Sequence, residues 1–281
     1  MSKRNQKRTN HIVKEKPTNL VDICLLTAGM VEPTIFDKCL DAIHREAQTI
    51  SSKIYVYRNG IPPETRDAYS SILSKYPATV SVSSENKGFP FGANHAIRMG
   101  NAPLVLFISD DIILHPGALQ TLVRRMDDPE IGNCGLKLLF PEDSQDPGRP
   151  AGKVQHIGHG IDIRGEIVHP LIGWSPDNPK CCVSRDVVSV TGAVFMIRRH
   201  VFRGVGGFFE GFGMGYFEDV DMNMEIRKQG WRVFIDTDAI ATHYTGATFV
   251  QRKVPVNMEK NKMILRARKA NLFVHDSFWF W

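Results

Sequence analysis

Two groups of acidic side chains carry most of the chemical potential of this chain. Ser109-Asp110-Asp111 follows the apolar run Leu104–Ile108, and Glu218-Asp219-Val220-Asp221 follows the glycine-rich stretches Gly206-Gly207-Phe208-Phe209-Glu210 and Gly213-Met214-Gly215. His243 stands further downstream. Carboxylate oxygens at one point suit Mg²⁺ or Mn²⁺, which bridge to a diphosphate. A carboxylate at a second point can accept a proton from a reacting hydroxyl. Each feature also has a plainer explanation. An Asp-Asp pair after a strand caps turns, acids in a first helical turn answer the helix dipole, and a lone histidine is commonly a satisfied structural side chain. Three acids within four positions exceed what capping needs, so a base among Glu218, Asp219 and Asp221 is the sharper reading. His156, His159 and His169 lack zinc-ligand spacing and read as loop polarity, with acceptor contact as the alternative.

The elements around these residues alternate. Val21–Thr27 is a nearly continuous apolar run, as in a buried parallel strand. A helix from Pro33 to about Ala47 follows, then a strand at Lys53–Tyr57 stopped by Asn59-Gly60, a helix over Thr65–Tyr76 and a short strand at Thr79–Val82. The loop Glu85–Asn94 runs into a helix ending at Gly100. Leu104–Ile108 is a fourth strand, with Asp110 and Asp111 at its end, and Pro116–Met126 is a further helix. This order argues for a parallel α/β sheet, in which ligands bind beyond the carboxyl ends of the strands. The second half is less regular. It has a loop over 141–152, a strand over Val188–Ile197 interrupted by Thr191-Gly192, a helix over Phe217–Gln229, a strand over Trp231–Ile235 and a basic amphipathic helix over 255–271.

Composition is that of an ordinary globular protein, with 42% apolar and 23% charged residues. The net charge of +5 is unevenly placed: residues 1–16 and 251–281 are each +5, which leaves the body at −5. The tail, residues 1–18, reads as a disordered solubilising arm, with contact to nucleic acid or an anionic surface as the sharper alternative. Five cysteines without a Cys-x-x-Cys pattern fit a reducing cytoplasm, and the adjacent Cys181-Cys182 pair is a weak metal signal. The aromatic end Phe278–Trp281 is expected to dock on the body's own surface, with a partner or membrane contact second. The sequence holds no apolar run long enough to span a bilayer and no apolar leader.

Taken in order, these segments resemble family 2 glycosyltransferases of the GT-A fold. The likeness rests on the strand Val21–Thr27, Asn86-Lys87-Gly88-Phe89 with Gly92-Ala93-Asn94, and Phe107–Asp111 with Pro116–Leu119. It continues through Val190-Thr191-Gly192-Ala193, Arg198-Arg199, Gly206–Glu210, Glu218–Asp221, Arg227, Gly230 and His243. It spans about residues 20–245 and implies a Rossmann-like, mainly parallel central sheet flanked by helices, with a smaller mixed acceptor-side subdomain. The division expected is a tail (1–18), one GT-A domain (19–250, with a nucleotide-sugar half 19–127 and an acceptor half 128–250) and a C-terminal basic helix with an aromatic end (251–281).

The resemblance further implies an inverting, metal-dependent transfer from a nucleotide-diphosphate sugar to an acceptor hydroxyl, with Asp219 as base and Glu218 beside it. Donor contacts are expected from Thr27, Ala28, Gly29, Arg58, Asn59, Asn86, Gly88, Asn94 and Asp110. Mn²⁺ or Mg²⁺ would be held by Asp111, Asp110 and His243, and the acceptor side formed by Gly192, Glu210 and Gly215. The family-average acceptor is a glycan or lipid-linked glycan. Modified bases of DNA are the alternative that the basic ends suggest, and a non-catalytic sugar-nucleotide-binding protein of the same fold is a third reading. The expected location is cytoplasmic, with peripheral membrane contact through the basic termini. Three positions depart from the family pattern: Ser109 fills the first place of Asp-x-Asp, Arg58 stands where an acid is usual, and Phe209 stands where an Asp often precedes Glu210.

Overall fold

The computed structural model describes residues 19–244 and 257–269. Strand β1 (Val21–Thr27) is buried at every position, as an unbroken apolar run requires when both faces of a sheet are covered. It pairs in parallel with β2 (Ser52–Asn59) and β4 (Leu104–Ser109), and β2 pairs in parallel with the edge strand β3 (Thr79–Ser83). Helices α1 (Pro33–Ala47), α2 (Pro63–Leu73) and α3 (Phe89–Arg98) make the crossovers, each with a proline in its first turn, where the missing N–H has no intrahelical partner to lose. Phe36, Leu40 and Ile43 of α1 pack on one face of the sheet, while Ala93, Ala96 and Ile97 of α3 pack on the other.

Beyond β4 come β5 (Ile112–Leu114), α4 (Ala118–Arg125), β6 (Ile131–Leu139), β7 (Val154–His156), and the hairpin of β8 (Gly160–Ile161) with β9 (Ile167–Val168). They are followed by β10 (Arg185–Asp186), β11 (Val194–Arg198), α5 (Arg199–Gly204), α6 (Glu218–Lys228), β12 (Arg232–His243) and α7 (Met258–Lys269). The main sheet runs β10-β12-β6-β11-β4-β1-β2-β3, with β5 on β12 and β7 on β6. β11 is antiparallel to both β4 and β6, so the second half joins the first through one reversed strand.

Three sequence expectations change. The strand expected over Val188–Ile197 begins only at Val194, because Thr191 and Gly192 turn the chain into the site. The strand expected over Trp231–Ile235 extends to His243 as β12, whose register against β6 shifts between Asp236 and Ile240. β6 itself, buried throughout, is absent from the sequence reading, since Gly132, Asn133, Gly135 and Lys137 break its apolar run. Residues 1–18, the aromatic end and the outer parts of the expected 255–271 helix lie outside the described residues.

One ion pair staples the two halves together. Asp22 Oδ2, on β1, accepts from Arg199 Nη2 at 2.6 Å and from the Ala102 amide at 2.7 Å. Arg199 Nε donates to Ala102 O at 2.6 Å. Both side chains are buried, so removing one charge strands the other in the interior. Arg199→Leu is expected to lower stability by about 3–5 kcal/mol, read from the urea midpoint. The Asp22→Asn/Arg199→Leu pair is expected to lose less than the sum of its single changes.

Candidate active site

The carboxyl ends of β1 and β4 bring the first acids together. Thr27 Oγ1 donates to Asp110 Oδ2 at 2.5 Å and accepts from the Gly29 amide at 3.1 Å. Burial, and then the neighbouring Asp111 charge, push the Asp110 carboxyl up to about 7. The pairing of β5 with β12 sets His243 opposite Ile112, and the Tyr244 amide donates to Asp111 O at 3.0 Å. Consequently His243 Nε2 lies 3.3 Å from Asp111 Oδ2.

The other ring nitrogen, His243 Nδ1, lies 2.7 Å from Gln155 Oε1, and Gln155 Nε2 faces His243 O at 3.4 Å. That second contact fixes which way the amide points, so Nδ1 carries the proton shared with Gln155. Whenever the imidazole is neutral, Nε2 offers a lone pair toward Asp111 Oδ2, an arrangement that can hold a cation between them. A carboxylate with an imidazole held by an outer amide is a donor set suited to Mn²⁺ or Mg²⁺.

The loop after β3 is positioned from β2. Asn59 Nδ2 donates to Asn86 Oδ1 and Gly88 O, each at 3.0 Å, and its Oδ1 accepts from the Lys87 amide at 3.2 Å. Asn59 is buried, so it shapes the Asn86–Gly88 loop from behind. Gly88, at φ 92°, lies against the carbonyl of Gly213, where any Cβ would collide. Thr27, Gly29, Arg58 and the Asn86–Gly88 loop therefore share one end of the sheet. Arg58 Nε is buried with no hydrogen-bond partner, and burial followed by the Arg66 charge lowers its pKa. Two cations close enough to repel each other suit an anionic ligand. Asn94 departs from the expected donor contact: it is buried, and its side chain is taken by Phe208 O, the Phe208 amide and Glu210 Oε1, each at 2.9 Å. It ties α3 to the loop carrying the exposed Glu210, and Asn94 and Glu210 meet each other instead of dividing between donor and acceptor.

The second group of acids sits at the start of α6. Asp219 Oδ2 accepts from the Gly192 amide at 2.9 Å and Oδ1 from the Val220 amide at 2.8 Å. Although one edge of Asp219 reaches solvent, burial of its carboxyl raises its pKa. Glu218 is buried, its Oε2 has no partner, and burial followed by the Asp219 charge pushes it up to about 8. Amide donors favour the ionised form, so of the two Asp219 is the one that ionises first. Asp221 takes no part: Arg268 Nε and Nη2 grip its two oxygens at 2.8 and 3.1 Å. Tyr216 and Phe217, at φ 76° and 73°, form a left-handed pair just before Glu218; such backbone costs about 1–2 kcal/mol per residue.

The two groups face the same strand ends. Gly192, which holds Asp219, precedes Ala193, whose carbonyl accepts from the Ser109 amide at 2.8 Å, next to Asp110. The Thr191 amide donates to His156 Nε2 at 3.1 Å. His156 must then carry its proton on Nδ1, which faces His169 Nδ1 at 3.2 Å. His169 is left with its N–H on Nε2, the far side of the ring. Although the nitrogens of His156, His159 and His169 lie within 4.8 Å of one another, this tautomer leaves His156 no lone pair for a metal. Burial, then the other rings, holds the His156 pKa well below its ordinary value. The His169 pKa is held low by desolvation first and His159 second, with the Asp219 charge opposing.

Gln155, Thr191 and the exposed His169 thus belong to the site, and sequence reasoning gave Gln155 no role. Its signal is positional, next to His156 in a short strand. A separate cavity of about 200 Å³, lined by Glu166, Ile167, Phe217, Lys262 and Leu265 among others, contains none of Asp111, Asp219 or His243.

An open α/β sheet with polar strand ends, an arginine whose Nε has no partner and two acid groups make a framework suited to binding a nucleotide beyond the strand ends. The family profile described as glycosyl transferase family 2 matches residues 32–205, and the chain belongs to that family. The O-antigen biosynthesis protein RfbC of Myxococcus xanthus is 32% identical over 168 residues, covering 57% of this chain and 12% of that protein. An uncharacterized protein, y4gI, of Sinorhizobium fredii is 23% identical over 188 residues, covering 65% and 20%. The chain therefore spans only 12% and 20% of the lengths of these two curated relatives.

Solved structures show the same fold. GalNAc-T7 with UDP, GalNAc and Mn²⁺ superposes with a TM-score of 0.63 at 10% identity, over 92% of this chain and 56% of that one. The mannosyltransferase PcManGT of Pyrobaculum calidifontis, with GDP-Man and Mn²⁺, gives 0.56 at 15% identity, over 91% and 64%. S. aureus TarS with UDP-GlcNAc gives 0.59 at 12% identity, over 89% and 66%. The central sheet and flanking helices are thus those of GT-A glycosyltransferases.

Proposed function

We propose that this chain is an inverting glycosyltransferase that uses a divalent cation to move a sugar from a nucleotide-diphosphate sugar to a hydroxyl of a glycan or lipid-linked glycan. The observation that carries the reading is Asp219, oriented by two amides beside the strand ends that bear Asp110, Asp111 and His243. Family membership and neighbours solved with UDP, GDP-Man and UDP-GlcNAc support the donor class.

Thr27, Gly29, Arg58 and the Asn86–Gly88 loop would bind the nucleotide, with Arg58 Nε meeting an anionic oxygen. Asp111 and His243 would hold Mn²⁺ or Mg²⁺, which when bound neutralises the leaving diphosphate. Asp219 accepts the proton of the acceptor hydroxyl as that oxygen bonds to the anomeric carbon. The bond to the diphosphate oxygen breaks, and both electrons leave with the nucleoside diphosphate. One displacement inverts the centre. His169, its Nε2–H set by His156, donates to the acceptor beside the base. Nucleotide release from a panel of UDP- and GDP-sugars, with and without Mn²⁺, tests the reading; no release and no thermal stabilisation from any would reject it.

The pH profile is a second test. A base with a raised pKa must lose its proton before it can act, so activity is expected to rise through a limb displaced above the ordinary carboxylate value of about 4. Burial and then the Asp219 charge push the Glu218 carboxyl up to about 8, so its neutral form predominates at neutral pH. Glu218→Gln, which fixes the neutral form, is expected to keep turnover and remove any alkaline decline near that pH. A limb at pH ~4 would show that the rate depends on an ordinary exposed carboxylate.

The described part of the C-terminal basic segment offers a DNA acceptor little free charge. Lys262 and Arg266 pair with Glu166, Arg268 pairs with Asp221, and Lys269 pairs with Glu225. No helix among the described residues is long and apolar enough to cross a membrane.

A further inference from the structure

We propose that Asn261, on α7, is a positioning residue for the catalytic base: it holds the left-handed turn that aims Glu218 and Asp219 into the site. The inference rests on the role given above to Asp219. Asn261 is buried, yet it lies in a helix whose neighbouring side chains are mostly charged and exposed. Its Nδ2 donates to Phe212 O at 2.9 Å and Gly215 O at 2.6 Å, with Tyr216 O at 3.4 Å. An amide has two hydrogens, so its donor capacity is spent wholly on the backbone of one loop.

That loop is where the chain is strained. Tyr216 and Phe217 have φ of 76° and 73°, and the helix bearing both acids begins at the next residue. Nothing local favours such a conformation in two bulky residues, so it persists because the surroundings impose it. Asn261 bonds carbonyls on both sides of Gly213-Met214 and at the first strained residue.

The helix carrying Asn261 is itself fixed. Arg268 grips Asp221, Lys269 reaches Glu225 at 2.8 Å, and Leu265 packs with Phe212, Val220 and Met224. The far side of the loop meets the donor end: Met214 O accepts from the Phe89 amide at 3.3 Å, and Gly213 O lies against Gly88. One side chain therefore sets a turn that touches the base's helix and the nucleotide loop together.

The test is a double-mutant cycle between Asn261→Ala and Tyr216→Gly. Glycine adopts a positive φ without strain, so it relieves one of the two strained positions and lessens the need for the restraint. Tyr216 is exposed, so its loss disturbs no core. Nucleotide release is read with water as acceptor, using whichever of UDP-GlcNAc, UDP-GalNAc or GDP-mannose the wild type turns over. Asn261→Ala is expected to lower kcat about 100-fold with donor KM little changed, and to move the acidic limb of the pH profile downward as water reaches the carboxyls. In the Tyr216→Gly background the same change is expected to cost less than about 10-fold.

Unchanged kcat in the single variant, or an equal loss in both backgrounds, overturns the proposal. The cycle is also read from urea midpoints, where the same inequality is expected. If Asn261→Ala does not fold, Asn261→Ser, which keeps one donor, takes its place. Should the wild type release no nucleotide, the functional reading fails by itself, and equal midpoint losses in the two backgrounds would then refute the role of Asn261.

Discussion

Asp219→Asn is expected to lower transfer by about 10³-fold or more, within the 10²–10⁴-fold range that a positioned base contributes and extended by local misorientation. Its affinity for the nucleotide sugar is expected to stay within about threefold of wild type. The substitution keeps shape and volume but removes the proton acceptor. The asparagine oxygen can still meet one of the two amides now bonded to Asp219, but its NH₂ would face the other. The side chain must therefore turn away from either Gly192 or Val220, adding misorientation to lost basicity. The residues proposed to contact the donor lie on β1, β2 and the loop after β3 and make no hydrogen bond to the Asp219 carboxylate, so donor binding is expected to be spared. Single-turnover transfer and calorimetry separate the two effects. Unchanged turnover would remove Asp219 from the role of base; parallel loss of donor affinity would show that it shapes the donor site.

The second large effect is expected at Asp111. Asp111→Asn should leave metal-free nucleotide binding intact and reduce the strengthening by Mn²⁺ about 100-fold, the scale on which truncated buried charge contacts count. Charge decides the effect, since asparagine still offers an oxygen beside His243 Nε2 at the same place on the chain. Asp110 is a poor substitute, because its Oδ2 is already taken by Thr27 and its burial favours the protonated form. Titrating UDP with and without Mn²⁺ into both proteins measures the difference. An unaltered Mn²⁺ increment would place the cation elsewhere.

Much of the framework was legible in the sequence because period and punctuation agree there. β1 and β4 are continuous apolar runs, α1 to α3 open at prolines, and the acids fall where strands or glycine loops end. The parts that could not be read depend on partners remote in sequence. β6 hides because burial beside β11 and β12 overrides the low strand preference of its glycines and Lys137. Asn94 resembles a ligand contact until the distant Phe208 and Glu210 are seen to occupy it. Gln155 acquires its role only when the pairing of β5 with β12 brings His243 alongside. Asp221 looks as reactive as Asp219 along the chain; Arg268 separates them in space.

The adjacent amides of Thr191 and Gly192 have one more implication. One anchors His156 and the other Asp219, so the proton-accepting group and the root of the histidine hairpin share a single hinge-free mount. On the proposed function, substitutions at Thr191 or Gly192 would disturb the base and the hairpin root together, whereas changes at the hairpin tip, around Asp162–Gly165, would leave both amide anchors in place.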